Sequence, residues 1–138
     1  MIGPLLLDTC AAIYITDNEW LKPQAIEAIN EAADRKQPVY LSPITAWEIG
    51  LLVRKGRFKS SLAPKRWLDR LLSFREITYC AMPPEVLLES SFLPGTLHGD
   101  PADRIIAATA REYGYTVVTR DRALLDYAAA GHLRALEC

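Results

Sequence analysis

The sequence predicts an α/β fold made of βαβ units around a mostly parallel sheet. Two observations carry the prediction. Short apolar runs alternate with helical periods along the chain, and no repeat, low-complexity tract or long linker interrupts them. At 138 residues, half of them hydrophobic and about a quarter charged, the chain is expected to fold as one domain over 1–138 without disulfides or a structural metal.

Taken in order, Pro4 to Leu7 reads as the first strand, ending at Asp8. A short helix follows from about Thr9 to Ile15, then a longer one opening at Pro23 with Ile26, Ile29 and Ala33 on one face. Val39 to Leu41 is a second strand. Ser42-Pro43 then supplies a cap and a first-position proline for a helix running to about Arg54, with Gly56 just past its end. Pro64 to Phe74 is helical, its apolar stripe being Trp67, Leu68, Leu71 and Leu72. Ile77 to Ala81 reads as a third strand, and Pro83-Pro84 opens a short helix.

Asp100-Pro101 repeats the cap-plus-proline signal, and Ile105, Ile106, Ala107 and Ala110 continue as a small-residue helix stopped at Tyr113-Gly114. Thr116 to Thr119 is a β-branched strand leading into Arg120-Asp121. A final helix ends at Gly131, and Leu133 to Leu136 forms an edge strand.

Three widely spaced cysteines, Cys10, Cys80 and Cys138, fit neither a disulfide framework nor a zinc site and suit a reducing cytoplasm. The apolar run before Asp8 has no basic region ahead of it, unlike a secretory signal, and no stretch approaches the roughly 20 apolar residues that span a bilayer. A cytoplasmic protein without a membrane partner is expected. Net charge is −1, but it is segregated: seven basic residues between Arg54 and Arg70 face only Asp69, so the rest of the chain is acidic. Such a run is either a solvated helix face or a surface that tracks phosphates.

Four acids carry the chemistry. Asp8 and Asp121 follow apolar strands, at the sheet edge where ligands bind in parallel α/β folds; capping a helix is the alternative use for either. Glu48 lies four residues after Ile44 and three before Leu51, so it projects from an apolar stripe, unless it reaches outward to a basic side chain. Asp103 occupies the third position of the helix capped by Asp100, as in a capping box, and shares a face with Ile106 and Ala107. Asp100 is expected to cap while Asp103 faces the site, with Asp100 as a further outer ligand. Like charges near 4 Å repel by about 4 kcal/mol at an effective dielectric of about 20, so a converging cluster needs a proton or a cation. Hard oxygen donors favour Mg²⁺ or Mn²⁺ over zinc.

Leu5 to Thr9, Ser42 through Trp47-Glu48-Ile49, His98 to Arg104 and Thr119-Arg120-Asp121 occur in an order that resembles a PIN domain, most closely the VapC-type toxins of toxin–antitoxin pairs. The likeness runs from Leu5 to Tyr127. It implies a three-layer α/β/α sandwich and a Mg²⁺- or Mn²⁺-dependent endoribonuclease, with Asp8, Glu48, Asp103 and Asp121 at the family's metal-binding acids. It also implies a homodimer held inactive by a cognate antitoxin protein. Cys10 departs from the polar residue often found two places after the first Asp.

The expected reaction is hydrolysis of an RNA phosphodiester by an activated water, with Thr119 either helping to orient the acids or serving only as a good strand residue. Arg54, Lys55, Arg57 and Lys59 are the expected RNA-binding residues, placing bases around an acidic centre. Arg104, Arg120 and Arg122 either contact phosphate or pair with neighbouring acids. The alternative function is a catalytically silent PIN-like module that binds RNA or protein.

Overall fold

The computed structural model describes residues 3–74 and 76–138. The elements run β1 (Leu5–Leu7), α1 (Thr9–Thr16), α2 (Pro23–Asp34), β2 (Val39–Leu41), α3 (Ile44–Arg54), α4 (Pro64–Leu72) and β3 (Ile77–Tyr79). They continue through α5 (Pro84–Glu89), α6 (Pro101–Tyr113), β4 (Thr116–Thr119), α7 (Arg122–Ala129) and β5 (Arg134–Glu137). Among the described residues the strands form one sheet in the order β3-β2-β1-β4-β5, with every pairing parallel.

Leucine is an indifferent strand former, yet Leu5, Leu6 and Leu7 make the central strand because helices cover both faces of the sheet. Alternation divides them. Leu5 and Leu7 join Val39, Leu41 and Val118 in a core closed by Ala11 of α1, Ala25 of α2 and Trp67 and Leu71 of α4. Leu6 and Val117 face the opposite way, against Ile106, Ala107 and Ala110 of α6 and Leu124 and Tyr127 of α7. The result is the three-layer α/β/α sandwich. Small side chains let α6 approach the sheet closely, and Gly114 ends it in the left-handed conformation at φ 74°, its N–H donating to the Ala110 carbonyl.

Several boundaries differ from the sequence reading. β1 begins at Leu5, α4 ends at Leu72, and β5 starts one residue later than expected. β3 is confined to Ile77–Tyr79, and its Thr78 and Tyr79 are exposed because it is an edge strand. The face of α2 is also rotated. Ala25 and Ala32 are buried while Ile26 is 43% exposed, since packing of α2 on β2 and β5 leaves room for alanine at the contact. No described helix is long and apolar enough to cross a membrane.

Register places the site. Leu7 lies opposite Val118, and the Asp8 N–H continues the ladder to the Val118 carbonyl at 3.1 Å. Asp8 therefore leaves the sheet beside Thr119, although 111 residues separate them in sequence.

Candidate active site

Three helices begin on aspartates at the carboxyl edge of the sheet. Asp8 Oδ1 accepts the Ala11 N–H at 2.7 Å at the start of α1. Asp121 Oδ1 accepts the Ala123 N–H at 2.8 Å at the start of α7, and Asp100 Oδ1 accepts the Asp103 N–H at 3.0 Å at the start of α6. Capping is thus real at all three, and it leaves each carboxylate with lone pairs for a second partner.

Asp8 is only 2% exposed. Its Oδ2 accepts from Thr119 Oγ1 at 2.5 Å, and that same hydroxyl accepts the Asp121 N–H at 3.0 Å. Thr119, fully buried, thereby couples the two strand-end acids. Burial pushes the Asp8 carboxyl up to about 6, opposed by the bonds from Thr119 and Ala11; the Asp121 charge pushes the same way as burial, and Arg120 opposes it.

Glu48 sits one turn into α3 and is half-buried. Thr9 Oγ1 donates to its Oε1 and also lies 3.0 Å from Thr45 Oγ1, so two buried threonines seat the glutamate. Its pKa is raised, first by burial and then by the charges of Asp100 and Asp8, against the lowering bond from Thr9. Asp103 is raised to about 8 by burial, by its hydrogen bond with the Asp121 carboxyl, and by the charges of Asp100, Asp121 and Glu48. These mutual influences bring Asp8, Glu48, Asp100, Asp103 and Asp121 into one electrostatic cluster. The outward-turned alternative for Glu48 is not what the structure adopts.

Cys10 stands beside this cluster as an exposed residue. Desolvation and the charges of Asp8, Glu48, Asp103 and Asp121 push its thiol up to about 12, which disfavours the thiolate. Among the described residues, carboxylate oxygens of Asp103 and Asp121 and one ring nitrogen of His98 lie within 4.8 Å of one another, a spacing one cation can bridge. Carboxylates that are desolvated and crowded, with hard oxygen donors, fit a divalent ion of the magnesium or manganese type.

His98, Thr9 and Thr45 were not among the candidate site residues read from sequence. Signals for two existed: Thr9 directly follows Asp8, and Thr45 precedes Glu48 by three residues on the same helical face. His98 lies in a loop whose path no periodicity reveals. The arginines next to the acids have other work. Arg104 donates to the carbonyls of Ser90 at 2.8 Å and Leu97 at 2.9 Å, while Arg120 donates to Trp20 and Cys138 and stacks on Tyr14. Arg122 lies 3.8 Å from Asp126 and 3.9 Å from Glu137. Arg54, Lys55, Arg57 and Lys59 are all exposed; Arg54 ends α3, about 9 Å along the helix axis from Glu48.

A parallel α/β sandwich with carboxylates gathered beyond its strand ends places an acidic centre where ligands bind in such folds. The family model for the PIN domain matches residues 5–130, and the chain belongs to the PIN-domain family. It is 31% identical over 121 residues to Ribonuclease VapC22 of Mycobacterium tuberculosis (strain ATCC 25618 / H37Rv), covering 87% of this chain and 88% of that one. Similar solved structures include DNA-bound VapBC from Salmonella typhimurium, at a TM-score of 0.65 and 25% identity over 97% of each chain. VapBC2 from Rickettsia felis, bound to a DNA fragment from their promoter, shares the fold at a TM-score of 0.69 and 18% identity, over 96% of this chain and 97% of that one.

Proposed function

We propose that this chain is a divalent-metal-dependent endoribonuclease that hydrolyses RNA phosphodiester bonds, and the toxin of a type II toxin–antitoxin pair. The observation that carries the reading is the cluster of Asp8, Glu48, Asp103 and Asp121, whose repulsion in a partly buried setting calls for a cation. Likeness to a VapC ribonuclease gives the reaction class, and likeness to VapBC assemblies gives the antitoxin partner. The protein acts in the cytoplasm as a single domain over 1–138 and as a homodimer.

Asp8, Glu48, Asp103 and Asp121 would hold Mg²⁺ or Mn²⁺, with Asp100 in support. Such an ion would supply charge neutralisation of the acids and of the phosphate, and a more acidic water. The chain's own residues do the rest. Thr119 holds Asp8 Oδ2 while Oδ1 caps α1, and Thr9 with Thr45 seats Glu48 beside the other acids. One carboxylate of the cluster accepts the proton released as water attacks phosphorus, while the P–O bond to the departing ribose oxygen breaks and that oxygen takes a proton from solvent. Arg54, Lys55, Arg57 and Lys59, exposed beside α3, attract the RNA backbone that the acids alone would repel.

The test is cleavage of structured RNAs in Mg²⁺ or Mn²⁺. Asp8→Asn keeps a cap and loses a charge, so it should fold and cut at least about 100-fold more slowly, the scale of losing a positioned acid–base group. Failure of the wild-type chain to cleave any RNA would favour a silent RNA- or protein-binding module.

A further inference from the structure

We infer that His98 is a positioning residue of the acid cluster, which holds the Asp103 carboxylate through Nε2–H and does not itself bind the ion. This rests on reading the cluster as a divalent-ion centre. Proximity alone would make the ring a ligand, because one of its nitrogens lies within 4.8 Å of the carboxylate oxygens of Asp103 and Asp121. The hydrogen-bond network decides otherwise.

The backbone N–H of Asp100 donates to Nδ1 of His98 at 3.1 Å. A ring that accepts at Nδ1 carries its hydrogen on Nε2. That nitrogen lies 3.2 Å from Oδ2 of Asp103, within hydrogen-bond reach and with the donor on the side of the carboxylate. Ligation through Nε2 would move the hydrogen to Nδ1, where it would face the Asp100 N–H donor to donor.

Asp100 is poorly placed to give way. Its Oδ1 caps α6 on the Asp103 N–H at 3.0 Å, and Pro101 follows it at the first position of the helix. On the other side, Arg104 Nη1 donates to the carbonyls of Leu97 at 2.9 Å and His98 at 3.4 Å. The segment from Leu97 to Asp103 is therefore a closed unit. Asp100 holds the Asp103 backbone, and also holds the ring that holds the Asp103 side chain. A residue fixed in this way behind a metal ligand sets where that ligand points, and the ion's donor set remains oxygen only.

The experiment combines histidine ring ¹⁵N NMR with calorimetric titration of the full chain by Mg²⁺ and by Mn²⁺. The ring is measured on metal-free and Mg²⁺-loaded wild type. We expect hydrogen on Nε2 in both states. H98A should bind the ions about 10- to 100-fold more weakly, and H98Q, whose amide N–H reaches toward Asp103, should recover part of the loss. Loss of the Nε2 hydrogen on Mg²⁺ binding would make His98 a ligand and overturn the inference. So would H98A binding both ions as tightly as wild type while remaining folded by circular dichroism. If H98A does not fold, the wild-type ring spectra decide alone. Ion uptake that depends on His98, without RNA cleavage by the wild type, would instead sink the ribonuclease reading and leave this one standing.

Discussion

At the carboxyl edge of the sheet, helices α1, α6 and α7 begin on Asp8, Asp100 and Asp121; at the amino edge, α6 and α7 end against arginines. Arg134 Nη2 donates to the Gly114 carbonyl just past α6, and Arg111 Nη1 donates to the His132 carbonyl just past α7, each at 2.5 Å. Both edges thus match charge to helix polarity. They differ in what remains afterwards. Each arginine ends on a backbone carbonyl, whereas the acids, once their capping is done, still face each other and Glu48 and Asp103 besides. Among the described residues no Lys or Arg makes an ion pair with Asp8, Glu48, Asp103 or Asp121. Charge that stabilises a fold finds its partner inside the chain; charge left uncompensated is where a ligand is wanted.

The largest effect that would sharpen this contrast is on stability against pH. Asp8 titrates near 6 when folded and near 3.8 otherwise. Between those values the folded chain keeps a proton that the unfolded chain has released, so stability falls as pH rises through that window and then levels. The loss attributable to Asp8 is roughly 3 kcal/mol, and Asp103, raised further, extends the decline toward about 8. Denaturant melts in a chelator at several pH values, wild type against Asp8→Asn, should show the variant more stable above pH 6 and the difference vanishing near pH 4. A variant that is less stable at pH 7 would break the comparison.

Next in size is the response to ions. Mg²⁺ at 100 times its dissociation constant should stabilise the wild type by about 2.7 kcal/mol, and Asp8→Asn or Asp103→Asn by much less. Thermal melts with and without the ion measure it. Equal stabilisation of all three proteins would place the ion elsewhere. Smallest is the amino edge, where Arg134→Ala should cost about 1 kcal/mol of stability and leave RNA cleavage unchanged. A change in cleavage there would mean that the two edges are not independent.

Much of this was legible beforehand because it is local. The β-branched run Thr116–Thr119, the Asp100-Pro101 start and the Gly114 stop depend on the residues themselves and on their neighbours. α2 departs from its sequence pattern for the opposite reason: its alanines pack inward while Ile26 is exposed, because space at the contact is small. The extent of β3 likewise depends on its lying at the sheet edge.

The α/β alternation, the helix caps and the four acids as a set are readable from the residues alone, because periodicity and capping are short-range physics. Tertiary structure alone decided that Thr119 joins Asp8 to Asp121, that Thr9 and Thr45 seat Glu48, and that His98 closes on Asp103. Those contacts come from parallel register between distant strands and from the path of a loop, and neither leaves a periodic trace in the chain.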